Sequence, residues 1–120
     1  MGHRRGVGRV EEHRWADVDH LIKEKYMSVY VIASLTIKDA VRFEDYRRML
    51  LPTMAKYGAR LVARGGPIVL EGEWPRERLI IAEFPSMEQA QQWWGSPEYA
   101  KPKALRQATT DSELVIVQGV

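Results

Sequence analysis

Glu83 is the ionisable residue in this sequence best placed to do chemistry. It lies in the run Arg78-Leu-Ile-Ile-Ala-Glu-Phe84 and alternates with Leu79 and Ile81, so an extended chain sets its carboxylate on their apolar face. A carboxylate there either pairs with an arginine or has its pKa raised toward that of a working base. Arg64, ending an earlier extended run beside Gly65-Gly66, is the first candidate partner, and Arg78 is the second. A structural Glu–Arg pair holding a corner or an interface is the competing reading. His3, His13 and His20 all precede Met27, and cysteine is absent. From Met27 onward the usual general base and thiol nucleophile are therefore missing, and any catalysis falls chiefly to carboxylate, tyrosine and arginine. Disulfides, CxxC redox pairs and thiolate zinc sites are excluded throughout.

Four further groups have chemical potential and a plainer explanation beside it. Arg64-Gly65-Gly66 could cradle an anion on backbone N–H groups. It lacks the GxGxxG or GKS/T pattern, however, and a bulge or corner explains the glycines more simply. Trp93-Trp94 could wall a ligand pocket, although adjacent helical residues point about 100° apart and such a pair also serves as one core and one interface residue. Tyr99 and Arg106 could border the same pocket, with Tyr99 equally suited to packing. Glu71-Gly72 reads first as turn chemistry, with a ligand role as its alternative. Nothing in these groups calls for a cofactor or a metal.

The chain has 120 residues, with 18 Lys and Arg against 16 Asp and Glu. That is one domain's worth, able to bury a single core without staples. The N-terminal stretch has no apolar run of secretory type, and the longest apolar runs, 29–33 and 79–82, fall far short of the roughly 18 residues of a membrane span. A soluble, cytoplasmic protein without a membrane partner is expected. Asparagine is absent, which removes N-glycosylation. Nucleic acid is not an expected partner either. The strand 78–84 offers aliphatic side chains and a carboxylate where RNA-recognition sheets carry aromatics, and the charge beyond Met27 is nearly balanced.

The elements that must position these residues follow from period and punctuation. Residues 1–26 form an extension: a glycine-rich basic start expected to be disordered, then a helical pattern over 11–25, with Met27 read as the natural start. From Val29 the residues Val29, Val31, Ala33, Leu35 and Ile37 line one strand face, while Tyr30, Ile32, Ser34 and Thr36 line the other. Asp39 caps a helix with Phe43, Tyr46, Leu50, Thr53 or Met54, and Tyr57 on its apolar side, bent at Pro52 and closed by Gly58. Residues 60–64 read as a strand that breaks at Gly65-Gly66-Pro67 and resumes at 68–70, and 78–84 is the next strand. Ser86 with Gln89 opens a helix that Gly95 stops. Ser96-Pro97 opens another to about Gln107, and 114–117 is the last strand. The order β-α-β-β-α-β specifies an α+β, ferredoxin-like domain over 27–120, with an antiparallel sheet and its helices on one side. Tyr30, Ile32, Leu79 and Ile81 then point at an uncovered face, and an apolar face of that extent predicts a homodimer through the sheet.

From Met27 to Val120 the sequence resembles the DUF-1330 family of uncharacterised bacterial proteins, in the dimeric α+β barrel superfamily. The resemblance rests on Tyr30-Val31-Ile32-Ala33, Tyr46-Arg47, Tyr57-Gly58, Arg64-Gly65-Gly66, Glu71-Gly72, Arg78, Glu83-Phe84-Pro85-Ser86, Ala90, Trp93, Ser96-Pro97-Glu98-Tyr99 and Arg106, in that order and spacing. It implies the fold and the dimer, and it implies no particular reaction, since one fold hosts many functions. Enzymes of the wider superfamily include isomerases, lyases and cofactor-independent monooxygenases with a pocket between sheet and helices. On that pattern Glu83 or Tyr30 moves a proton, Arg64 holds an anionic or enolate oxygen, and Trp93 or Trp94 stacks on a small organic ligand. The alternative is a non-catalytic structural or ligand-binding dimer in which Glu83 and Arg64 are a structural pair.

Overall fold

The computed structural model describes residues 27–120. The expectations for the extension, its helix and its three histidines lie outside the described residues. The elements run β1 (Val29–Ile37), α1 (Ala40–Lys56), β2 (Arg60–Gly65), β3 (Arg78–Phe84), α2 (Met87–Trp94), α3 (Pro97–Thr109) and β4 (Thr110–Gln118). The strands form one sheet in the order β2-β3-β1-β4, with every neighbouring pair antiparallel. This is the ferredoxin-like plan with its second helix divided in two.

The caps act where the sequence places them. Asp39 accepts from the Arg42 N–H at 3.1 Å, Ser86 from the Gln89 N–H at 3.2 Å, and Ser96 from the Tyr99 N–H at 3.2 Å. Pro52 lies within α1 without ending it. Gly58, at φ +76°, turns the chain where a Cβ would come 2.9 Å from the Pro85 ring, so both its handedness and its size matter. Strand β4 departs from expectation, beginning at Thr110 directly as α3 ends at Thr109.

Burial alternates along β1. Val29, Val31, Ala33 and Leu35, with Ala82 and Phe84 of β3, form the core with Phe43, Tyr46, Leu50 and Met54 of α1, Ala90 and Trp93 of α2, and Tyr99 of α3. Tyr30 and Ile32 face the other way, opposite Glu83 and Ile81 on β3 and opposite Val117 and Val115 on β4. No described helix covers that face, and Val115 is 56 % exposed.

Two details of β2 correct the sequence reading. Residues 68–70 are not a strand: they lie in the long connection between β2 and β3 with no neighbouring strand to pair, and Ile68 and Leu70 are exposed. The bulge sits between Leu61 and Ala63 rather than at the glycine pair. The extra residue there reverses the side-chain alternation for the rest of the strand.

A contact at the exposed end of α1 gives a pH prediction. Glu98, in the first turn of α3, accepts from the Lys56 ammonium and from the Tyr57 hydroxyl at 3.1 Å. The hydrogen bond from Lys56, foremost, holds the Glu98 carboxyl down at about 2. Because this pKa is depressed on folding, the stability it contributes is fully present above the unfolded value of about 4.3 and disappears as pH falls toward 2. Urea unfolding of wild type and Glu98→Gln is expected to differ by a constant amount above about pH 5, with the gap closing through the acid range. A gap independent of pH down to 2 contradicts this.

Candidate functional site

The bulge distributes the candidate residues over separate places. Arg60 lies opposite Glu83, whereas Arg64, beyond the bulge, lies opposite Ile80 on the helix side of the sheet. The expected Glu83–Arg64 pair therefore does not form. Glu83 pairs instead with Arg60, whose Nε donates to Oε1 at 3.0 Å, and the Tyr30 hydroxyl donates to Oε2 at 3.4 Å. The pKa direction is also the reverse of that expected for a working base. Hydrogen bonding by the Ser28 hydroxyl and then by Arg60 lowers the Glu83 carboxyl, outweighing its partial desolvation. Glu83, Tyr30 and Arg60 form an ion-paired corner of the open sheet face.

Arg64 and Arg78 meet on the other side. They line a cleft of about 460 Å³ between α1 and the β2–β3 edge, with Phe43, Ile37 and Ile80 as its apolar wall and Arg47 and Glu44 of α1 at its rim. Arg47 donates to Glu44 at 2.8 Å. Among the described residues neither Arg64 nor Arg78 has an ion-pair or hydrogen-bond partner, and both are exposed. Arg64 pairs with Ile80, two positions from Arg78 on the same face of β3. Diagonal neighbours of this kind stand about 7–8 Å apart at the backbone, within reach of each other for side chains as long as arginine.

The remaining candidates gather at β4. Trp93 is only 3 % exposed; its ring lies 4.0 Å from Tyr99 and 5.1 Å from Phe84, and its indole N–H donates to Thr53 Oγ1 at 3.0 Å. It is a core residue, and with Val31, Trp94, Leu114, Val115 and Ile116 it also lines a pocket of about 250 Å³. Trp94 is 38 % exposed and overlooks a second cavity, of about 410 Å³, shared with Arg106, Arg76, Ser112 and Leu114. Tyr99 is fully buried, its hydroxyl 3.0 Å from that of Tyr46 and accepting from Arg106 Nε at 3.3 Å. Burial, and then the neighbouring Tyr99, push the Tyr46 hydroxyl well above its ordinary pKa. Glu71 is exposed in the β2–β3 connection and joins neither cleft. Among the described residues no three His, Asp or Glu side chains are grouped to hold a metal.

Sequence reasoning missed Arg47, Arg60 and Arg76. Arg47 was legible, since it lies four residues after Phe43 and so on the flank of the α1 apolar stripe. Arg60 depends on the bulge, for which no glycine or proline gives a signal. Arg76 reaches Glu113 from the long connection, with Nε–Oε1 at 2.9 Å, and no local period announces such a contact.

Fold and faces together define a ferredoxin-like α+β protein with one helix-covered and one open apolar sheet face. The chain belongs to the family described as Domain of unknown function (DUF1330), whose model matches residues 28–120. Among solved structures it is similar to RPA0582, a protein of unknown function from Rhodopseudomonas palustris, with a TM-score of 0.69, 19 % identity, and 100 % of this chain and 98 % of that one covered. It is also similar to SnoaB from Streptomyces nogalater, described as a cofactor-independent oxygenase: TM-score 0.59, 14 % identity, coverage 78 % and 94 %. A dimeric protein of unknown function and ferredoxin-like fold from Bacteroides fragilis gives 0.56, 15 %, and 78 % and 100 %. These identities establish the fold alone. No curated protein matches the sequence. No described helix is long and apolar enough to cross a membrane.

Proposed function

We propose that this protein is a homodimer, joined through the open sheet faces, that binds a small organic anion in the cleft between α1 and the β2–β3 edge. The observation that carries the ligand reading is the juxtaposition of Arg64 and Arg78. Two neighbouring guanidiniums without a described counter-charge repel until an anion sits between them, and the apolar wall of Phe43, Ile37 and Ile80 suits a ring or short chain attached to it. The dimer reading rests on the uncovered apolar face and is supported by the dimeric relative of the same fold.

The same chemistry suits a cofactor-independent isomerase, lyase or oxygenase that holds an enolate or phenolate oxygen on the two arginines. The fold likeness to SnoaB supports that class. Glu83 and Tyr30 lie across the sheet from the cleft and are not its proton carriers. One observation favours binding without turnover: Glu44, the carboxylate at the rim, is engaged by Arg47. In either case Glu83 is structural, with Arg60 as its partner.

Thermal-shift screening against small aryl carboxylates and phenols tests the site. A hit is expected to raise the wild-type melting temperature. Its affinity is expected to fall about tenfold or more in Arg64→Ala/Arg78→Ala, whose own melting temperature changes little because both residues are exposed. An affinity unchanged in the double variant, or uniformly null shifts, overturns this reading.

A further inference from the structure

We propose a second anion site in the cavity at the β4 edge, built on the buried guanidinium of Arg106 and walled by Trp94, that takes a small carboxylate with a planar body. Arg106 is only 3 % exposed. An arginine does not shed its proton in a protein, so its charge must be met where it lies. Its described partners are neutral: Nε donates to the Tyr99 hydroxyl at 3.3 Å, Nη1 donates to the Ser112 hydroxyl at 2.6 Å, and the guanidinium also hydrogen-bonds the Tyr46 hydroxyl. No described carboxylate pairs with it. Asp111, which also lines the cavity, pairs with Lys38 at 3.2 Å, and Glu113 pairs with Arg76. Arg106 stands in the last turn of α3, where the helix terminus offers about half an elementary charge, which leaves the guanidinium undercompensated.

The geometry shows where the missing charge belongs. The guanidinium carries five N–H groups, more than its three hydroxyl partners take up. It lines the cavity together with Trp94, Arg76 and Ser112. The Trp94 ring centre is 5.9 Å from the guanidinium carbon, with the Lys103 ammonium 4.2 Å from the same ring. A carboxylate in this cavity thus meets the Arg106 guanidinium at its charged end, with the indole beside its body and Arg76 on the outer wall. Tyr46 and Tyr99, bonded to each other behind Arg106, are positioning residues that fix the guanidinium.

This site is independent of the Arg64–Arg78 cleft, and one titration separates them. Benzoate is added to the full chain labelled with nitrogen-15, and the Arg106 Nε–H and Trp94 indole N–H resonances are followed. Saturable shifts of both are expected, unchanged in Arg64→Ala/Arg78→Ala and weakened about tenfold or more in Arg106→Gln and in Trp94→Ala. Benzamide, which has the same shape without the charge, is expected to bind about tenfold more weakly or not at all. Because Trp94 is partly exposed, its variant keeps the test decisive should Arg106→Gln fail to fold. The proposal is overturned if the two resonances do not move, if benzamide binds as well as benzoate, or if the folded variants bind benzoate as tightly as wild type.

Discussion

Trp93→Ala is expected to lower the unfolding free energy by about 3–5 kcal/mol, while Trp94→Ala, one residue on, changes it by less than about 1 kcal/mol. Trp93 is nearly inaccessible and is packed between Phe84 of β3 and Tyr99 of α3. Its removal opens a cavity where three elements meet. The indole N–H to Thr53 Oγ1 is lost as well, although Thr53 keeps its own bond to the Leu50 carbonyl at 2.7 Å. A domain of this size is stable by roughly 5–15 kcal/mol, so the loss is a large share of the whole. Trp94 surrenders mainly an exposed contact with Lys103. Urea unfolding of the two variants side by side checks the contrast, and equal losses contradict it.

The tryptophan pair also shows what a single sequence can reveal. That one ring faces inward follows from the angle between adjacent helical residues, and the spacing Met87, Ala90, Trp93 points to which one. What the pattern does not carry is the surroundings of the outward ring. Those are set by Arg106 and Ser112, brought beside it by the immediate passage of α3 into β4. The core strands and the caps are legible because each rests on a local rule: alternation in β1, and side-chain oxygens at Asp39, Ser86 and Ser96.

The site was less legible because its assembly hinges on one residue of register. Without the bulge after Leu61, alternation sets Arg64 on the face of Arg60 and so of Glu83, as the expected Glu83–Arg64 pair requires. With it, Glu83 meets Arg60 and loses basicity, while Arg64 crosses to the face that carries Arg78. Leu61, Val62 and Ala63 contain nothing that marks a bulge, since the usual glycine is absent. The glycine pair nearby drew the expectation to the wrong place.

The open face yields the second large effect: Ile81→Lys is expected to convert the proposed dimer to monomer at micromolar concentration, raising its dissociation constant at least about a thousandfold. Ile81 lies opposite Ile32 on β1, and Ile32 lies opposite Val115 on β4, so the substitution falls within the apolar stretch of the sheet rather than at its charged corners. Two chains closing face to face form an isologous contact, so each substitution enters the interface twice. An unpaired buried ammonium costs several kcal/mol, and each 1.4 kcal/mol is a factor of about ten. The monomer itself is expected to stay folded, because Ile81 points away from the core on the helix side of the sheet. Val41→Lys, on an exposed position of α1, is the control and is expected to leave the dimer intact. Light scattering across a dilution series reads both variants. A dimer that survives Ile81→Lys at micromolar concentration, with unchanged helical content, shows that the chains associate through some other surface, and the apolar face then needs a different partner.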